Sequence, residues 1–269
     1  MKGGAVQPGR GRTFRRIRIG LLLAALAFTA AWGARLSWRR WARGNWERPV
    51  EVGLVLLSPG GDAEVSRWRA GIGALSSRLD GEMARYRGPG GPAFQIAVVG
   101  PVRWSGALPF TPPTDDPLDR AWHALDVWRT EREIDRAGGG AVGGFDIRVF
   151  FLCDSLPGSA LGFAEGSGAV DGEVAFVRGS CDGDLSLSLQ AVGHELLHTV
   201  GATDRYDAGG HALAPEGLAD PGRVPLYPQI HAEWMAGEVA LAPGSGRLPE
   251  SLAELRVGEA TAREIGWIR

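Results

Sequence analysis

The stretch that decides the fold is Ala191-Val192-Gly193-His194-Glu195-Leu196-Leu197-His198-Thr199-Val200-Gly201-Ala202-Thr203-Asp204. His194 and His198 are four residues apart, so a helix would project both imidazoles from one face, about one turn apart. Glu195 would lie close to any group held between the two rings. Gly201 can adopt a left-handed conformation that ends the helix and turns the chain back. This turn would bring Asp204 toward the two imidazoles.

Two histidines at this spacing, with a glutamate after the first, form the H-E-x-x-H pattern of zinc sites. A hydrolytic zinc site takes three protein ligands and leaves one position for water. His194 and His198 would supply two ligands, and Asp204 is the predicted third because Gly201 permits the turn that brings it round. Three other side chains are alternatives for the third ligand: Asp207, His211 and Glu216. Glu195 is the predicted general base, which takes a proton from the attacking water and passes it to the leaving amine.

A simpler interpretation of the same residues is a pair of surface histidines on a core helix, with Glu195 solvated. Two features of the sequence favour the metal site instead. The pattern lies in a strongly apolar segment that follows a strand-like one, and Gly201 and Asp204 stand seven and ten residues after His194.

Charge is distributed unevenly along the 269 residues of the chain. Residues 1–44 contain ten of the 29 Lys and Arg and no Asp or Glu. The other 19 basic residues stand against 31 acidic residues in 45–269, which gives that part a net charge of −12. A nucleic-acid-binding protein presents a basic face, so no nucleic-acid partner is predicted. A chain of this length can bury a substantial core, as one domain or two tightly associated lobes.

Residues 1–46 have the layout of an export signal. A basic segment from Lys2 to Arg18 precedes an apolar run from Ile19 to Ala34, and further arginines and tryptophans follow. The run of sixteen residues is long for a signal peptide and slightly short for a full membrane span of about 20 residues. We expect an uncleaved signal-anchor that makes the membrane a partner and holds the body outside the cytoplasm. A cleaved signal, and hence a secreted protein, is the alternative.

From Val50 onward, strand-like and helix-like segments alternate. The predicted strands are 50–57, 94–102, 145–152, 161–164 and 172–177, with the Gly-rich segment 165–171 between the last two. The predicted helices are 63–87, 118–136 and 185–200, with shorter helix-like stretches at 230–235 and 261–267. This order predicts an α/β (α+β) fold in which helices pack on a twisted mixed sheet. Residues 47–201 would form an upper lobe, and 202–269 a small irregular C-terminal lobe.

The pattern H-E-x-x-H-x-x-G-x-x-D, from His194 to Asp204, resembles the extended motif of the metzincin metallopeptidases, in the aspartate form found in snapalysin-like members. The resemblance covers roughly Val50 to Met235. It implies a zincin-like fold and a zinc endopeptidase that cleaves peptide or protein substrates.

The resemblance also implies supporting roles around the metal. Metzincins have a methionine in a tight turn beneath the zinc, and Met235 in Ala232-Glu233-Trp234-Met235-Ala236-Gly237 matches that methionine by position. Tyr206 could donate to a tetrahedral intermediate, as tyrosines near the zinc do in some metzincins, and the alternative is a packing role in the loop. The edge strand before the zinc helix would bind an extended substrate by backbone pairing. Two segments are candidates for this strand: 162–165 and 174–176.

Two further features complete the predicted site. Cys153 and Cys181 are the only cysteines, and in an exported protein we expect a disulfide between the third strand and the loop before the histidine helix. Asp207 is a candidate for supporting a zinc ligand or binding a structural calcium ion.

Two functions of other classes fit the same residues. One is a catalytically silent, zinc-containing module that holds a peptide, and the other is a zinc hydrolase of a non-peptide amide. Glu195 argues against the silent module, because a structural zinc site is more often closed by four ligands and needs no base. We therefore expect a zinc metalloendopeptidase that is membrane-anchored or secreted.

Overall fold

A computed structural model describes residues 10–60, 64–111, 114–153, 165–168, 172–181 and 185–268. The chain forms two compact units, residues 1–42 and 43–269. Helix α1 (Arg10–Gly44) contains a stretch, Phe14–Gly44, that is long and apolar enough to cross a membrane. Its length and position suit either a signal sequence or an anchor.

The second unit is built on a five-stranded mixed sheet with helices packed around it, as predicted. Its strands are β1 (Val50–Ser58), β2 (Phe94–Arg103), β3 (Ile147–Cys153), β4 (Glu165–Gly168) and β5 (Val174–Gly179). Their spatial order is β2-β1-β3-β5-β4. Neighbouring strands are parallel except β4, which pairs antiparallel with β5 at the edge.

Helices cover both faces of this sheet, which explains the almost unbroken apolar runs of its central strands. The helices of this unit are α2 (Val65–Arg87), α3 (Pro117–Ala137), α4 (Ser186–His198) and α5 (Glu259–Glu264). Side chains alternate along β1, so Leu54 joins the core beneath α2 and α4, while Val55 joins a smaller core beside α3. The larger core continues into the C-terminal residues through Trp234 and Trp267.

The C-terminal part is mostly irregular, with four short strands and a 3-10 turn, Leu252–Glu254, among the residues described. Strands β7 (Val239–Ala242) and β8 (Ser245–Arg247) form a hairpin, and β6 (Ala232–Glu233) pairs in parallel with β9 (Leu255–Arg256).

Three sequence predictions differ from the structure. The prediction of a helix-like stretch at 230–235 is wrong, because residues 232–233 form β6 and the Trp234 amide donates to the carbonyl of Arg256. The predicted separator 165–171 contains β4, and the predicted strand 161–164 lies outside the described residues. The edge-strand candidate 174–176 lies in β5, which is hydrogen-bonded on both sides, so it is not an edge.

Candidate metal site

Helix α4 brings His194, Glu195 and His198 together. One ligand atom from each lies within 4.8 Å of the others, which is close enough to hold a metal ion. The two imidazole ring centroids are 4.8 Å apart, on one face of the helix as the four-residue spacing predicts, and the rings are nearly perpendicular. His198 and Glu195 are buried, and His194 is half-buried at the edge of a cleft.

Helix α4 ends in a Schellman turn that brings Asp204 to the histidines. Gly201 has a φ of 112°. Its amide donates to the carbonyl of His198, and the amide of Ala202 donates to the carbonyl of Leu197. Gly201 therefore has the left-handed conformation that the sequence predicts. Beyond the turn, Asp204 Oδ1 lies 3.1 Å from His194 Nε2 and 3.3 Å from His198 Nε2.

These distances suit a shared zinc ion. Ligand atoms around a tetrahedral zinc ion, at bond lengths of about 2.0–2.2 Å, lie roughly 3.3–3.6 Å from one another. The outer ring nitrogens are also occupied, since His194 Nδ1 lies 3.2 Å from the Trp234 carbonyl and His198 Nδ1 lies 2.8 Å from the Ala202 carbonyl. A carbonyl can only accept, so each Nδ1 is the donor and each Nε2 is free to bind a metal. The three residues therefore fit zinc.

The electrostatics of the site follow from the same contacts. Burial would raise the pKa of Asp204, but its hydrogen bonds with His194 and His198 outweigh burial and hold that pKa well below its usual range. Burial would lower the pKa of His198, but its bonds to Asp204 and to the Ala202 carbonyl raise it overall. The aspartate therefore stays ionised and supplies the negative charge that a divalent cation requires.

Glu195 is buried beside the histidines without a fixed partner for one of its oxygens. Among the described residues, none hydrogen-bonds to Oε2 of Glu195. Burial raises the pKa of Glu195, and the neighbouring His194 and His198 oppose the rise. A Cβ atom at Gly166 or Gly168 would lie within 3 Å of the Glu195 side chain, so these glycines let β4 pass directly over the carboxylate.

The three alternatives for the third ligand are held elsewhere. Asp207 accepts backbone hydrogen bonds from Gly209 and His211, and those bonds lower its pKa. His211 Nδ1 lies 3.4 Å from Glu238, and Glu216 pairs with Arg205. None of the three contacts either histidine of α4 in the hydrogen bonds and ion pairs described for them, whereas Asp204 contacts both.

The turn that contains Met235 is tied to α4 by its neighbours. Gln190 Nε2 donates to the Gly237 carbonyl, and Trp234 Nε1 donates to the Gln190 carbonyl. The Trp234 ring lies against Gly193, where a Cβ would come within 2.4 Å of it. Met235 itself is fully buried in the core. Sequence reasoning missed Trp234, although a glycine in mid-helix before His194 indicates close packing at that point.

Tyr206 lies above His194 at the mouth of the site. Its ring centroid is 6.4 Å from that of His194, and the side chain is 40% exposed. Burial, with Asp204 next in effect, raises the pKa of its hydroxyl to about 12. The hydroxyl therefore keeps its proton at neutral pH and is able to donate.

An open cleft of about 510 Å³ runs past the site. Gly166 of β4 and His194, Glu195 and Tyr206 line one part, and Ala236–Glu238 with Gly246–Leu248 line the other. Among the described strands, β4 is an edge of the sheet, and it reaches the cleft at Gly166. Cys153 and Cys181 form the predicted disulfide, which joins the end of β3 to the residues before α4 and is typical of an oxidising compartment.

Comparison with known proteins gives no match, since neither a protein-family profile nor a curated protein sequence matches the chain. Support for a function of this site therefore comes from its own residues. They form a group that fits a metal ion, on a mixed α/β fold, in a chain whose apolar N-terminal helix and disulfide suit export.

Proposed function

We propose that the protein is a zinc-dependent endopeptidase of the metzincin type. The observation that carries this proposal is the convergence of His194 Nε2 and His198 Nε2 on one oxygen of Asp204, with both Nδ1 atoms held by carbonyls. When bound, zinc supplies the Lewis acidity that polarises a carbonyl and makes water a nucleophile near neutral pH.

Glu195 holds and transfers the proton in this proposal. Its Oε2 has no partner among the described residues, and burial raises its pKa toward the working range of a general base. The carboxylate removes a proton from water as the water attacks the peptide carbonyl, and then delivers that proton to the leaving amine. This transfer needs no covalent intermediate.

The cleft suits an extended peptide rather than a compact ligand. A peptide strand added to the edge of β4 would form backbone hydrogen bonds with it. It would lie near Glu195, because Gly166 and Gly168 let β4 pack directly against that carboxylate. Tyr206 has a protonated hydroxyl that can donate to the developing oxyanion. Met235, fully buried next to Trp234, would be the methionine beneath the metal.

The location that fits these features is outside the cytoplasm. Within α1 the apolar run from Ile19 to Ala34 has arginines on both sides, and the disulfide is typical of an oxidising compartment. We propose that α1 anchors the enzyme to the membrane. Removal of α1 as a signal peptide would give a secreted enzyme.

The test uses the full chain in detergent, with Glu195→Gln as the diagnostic variant and Glu216→Gln as its matched control. Glu216 is an exposed glutamate of the same part of the chain, paired with Arg205. Zinc content is measured by mass spectrometry, and cleavage with a library of quenched fluorescent peptides. We expect Glu195→Gln to retain zinc and to lose about 10²–10⁴-fold in kcat, while Glu216→Gln keeps both.

Other outcomes point to other functions. Wild-type protein that binds zinc and cleaves no peptide would indicate the silent peptide-binding module, or the hydrolase of a non-peptide amide if such amides are cleaved. Wild-type protein without zinc would contradict the metal site itself.

A further inference from the structure

Helix α3 carries a row of side chains, all exposed except the half-buried Leu125, that the fold does not explain. The row follows a spacing of four and three residues and consists of Leu118, Trp122, Leu125, Arg129, Arg132 and Arg136. At about 100° per residue, these positions lie within roughly 40° of one helix line. Leu118 is 69% exposed and Trp122 is 66% exposed, whereas the only buried residues of the helix are Thr130 and Ile134 on the opposite side.

The acidic residues of α3 lie outside this row. Glu131 pairs with Arg148 of β3, and Asp135 accepts from the amide of Val142, so both are turned toward the body of the protein. Three other acids, Asp119, Asp126 and Glu133, lie along one flank, about 60–100° from the centre line of the row. The row is thus apolar and aromatic in its first half and purely cationic in its second half.

We propose that this row is a membrane-docking surface that binds the interface of a phospholipid bilayer. Tryptophan and leucine partition into the interfacial region of a bilayer. Arginines beside them bind lipid phosphates, both by charge and by paired hydrogen bonds. Trp128 adds a second half-exposed ring, with the Arg132 guanidinium 5.3 Å from its centre.

A bilayer suits the row better than a second copy of the chain does. In a parallel pair of α3 helices the arginines would face arginines, and in an antiparallel pair they would face Leu118 and Trp122. Neither pairing places an acidic residue of the row opposite the three guanidinium groups, whereas a lipid headgroup layer offers phosphates beside an apolar layer. The apolar helix α1 of the same chain would also keep the body at a high local concentration near the bilayer.

A spin label tests the docking directly. Both native cysteines are in the disulfide, so Trp122→Cys creates a single labelling site in the full chain. Val224→Cys is the matched control, because Val224 is 94% exposed and lies far along the chain from α3. The proteins are reconstituted in phosphatidylcholine vesicles with phosphatidylglycerol, and the label's access to oxygen and to a water-soluble nickel chelate is measured.

We expect the label at position 122 to be shielded from nickel and open to oxygen, and the label at 224 to be open to nickel. Reversing Arg129, Arg132 and Arg136 to Glu should weaken shielding at 122 by roughly fivefold per arginine, while Arg263→Glu should not. Zinc content should be the same in all these variants, since none of these residues touches the metal site.

Equal nickel access at 122 and 224 would overturn the proposal. So would spin–spin broadening at 122 that disappears on dilution with lipid, because it would identify a second copy as the partner.

Discussion

Helix α4 and the segment beneath it, residues 202–248, build the two sides of one site in different ways. The helix presents His194, Glu195 and His198 through its 3.6-residue period. The lower segment contains no helix, and its longest strand has four residues, so its positions depend on individual hydrogen bonds. The helical side depends on periodicity and is therefore predictable from sequence. The lower side depends on individual hydrogen-bonding side chains, which we call its anchors, and is therefore sensitive to single substitutions.

The anchors of the lower side differ greatly in burial. Glu233 is completely buried, and its two oxygens accept from the amides of Met235, Ala236 and Gly258 and from the Thr261 hydroxyl. Glu254 is only partly buried and binds Arg247 at the rim of the cleft. An unpaired polar group lowers the stability of the fold more when it is buried. We therefore expect the loss of a more buried anchor to destabilise the protein more.

Asp204→Ala should have the largest effect, because Asp204 is the only residue of the lower segment proposed to bind the metal. The binding free energy of zinc is about 10 kcal/mol, and losing one of three ligands would remove about a third of it. This loss corresponds to a decrease of roughly three hundredfold in zinc affinity. Competition with a fluorescent zinc chelator measures this affinity. Asp207→Ala is the control, since that exposed carboxylate binds only nearby backbone amides. Unchanged affinity in Asp204→Ala, or a loss in Asp207→Ala, would contradict the proposed ligand set.

Much of the upper side was predictable from sequence. The sheet and its helices follow from apolar periodicity, and His194, Glu195 and His198 from their spacing. The Gly201 turn follows from the absence of a Cβ, which permits a positive φ. Cys153 and Cys181 were predicted to pair because no other cysteine is present.

The lower side was predictable only in part. The apolar stretch at 230–235 resembles a helix, but tertiary contacts override this local preference, since β6 pairs with β9 more than twenty residues away. The edge strand β4 is so rich in glycine that its sequence indicates a loop, and only its packing over Glu195 explains those glycines. Nor does any sequence period indicate that the Trp234 carbonyl will bind His194.

Glu233→Gln should have the second-largest effect. Each Glu233 oxygen accepts from two donors. Burial raises the pKa of Glu233, and these four donors oppose the rise. An amide nitrogen cannot accept and would face two of these donors, at a cost of about 2 kcal/mol in the free energy of unfolding. Because Trp234 follows Glu233 and holds His194 through its carbonyl, we also expect roughly a tenfold loss of zinc affinity.

Urea unfolding followed by tryptophan fluorescence, with a parallel zinc titration, measures both effects of Glu233→Gln. Glu250→Gln is the matched control, because the side chain of Glu250 is 82% exposed. Its unfolding free energy should stay within about 0.5 kcal/mol of wild type. Equal stability of the two variants would show that the buried carboxylate does not hold the lower side in place.

Glu254→Gln should have the smallest effect, and the size of this effect depends on pH. The hydrogen bond from Arg247, helped by the Glu250 amide, lowers the pKa of Glu254 from 4.5 to about 2. The pair therefore stabilises the folded protein above pH 4.5, and this contribution is lost as the pH falls toward 2. For a solvent-exposed pair we expect at most about 1 kcal/mol.

The melting temperatures of wild type and Glu254→Gln should differ at neutral pH and converge on acidification, with zinc affinity at neutral pH unchanged. A difference in melting temperature that is constant or grows at low pH would mean that the ion pair does not anchor the β7–β8 hairpin. It would also mean that the burial of an anchor does not determine how much that anchor stabilises the protein.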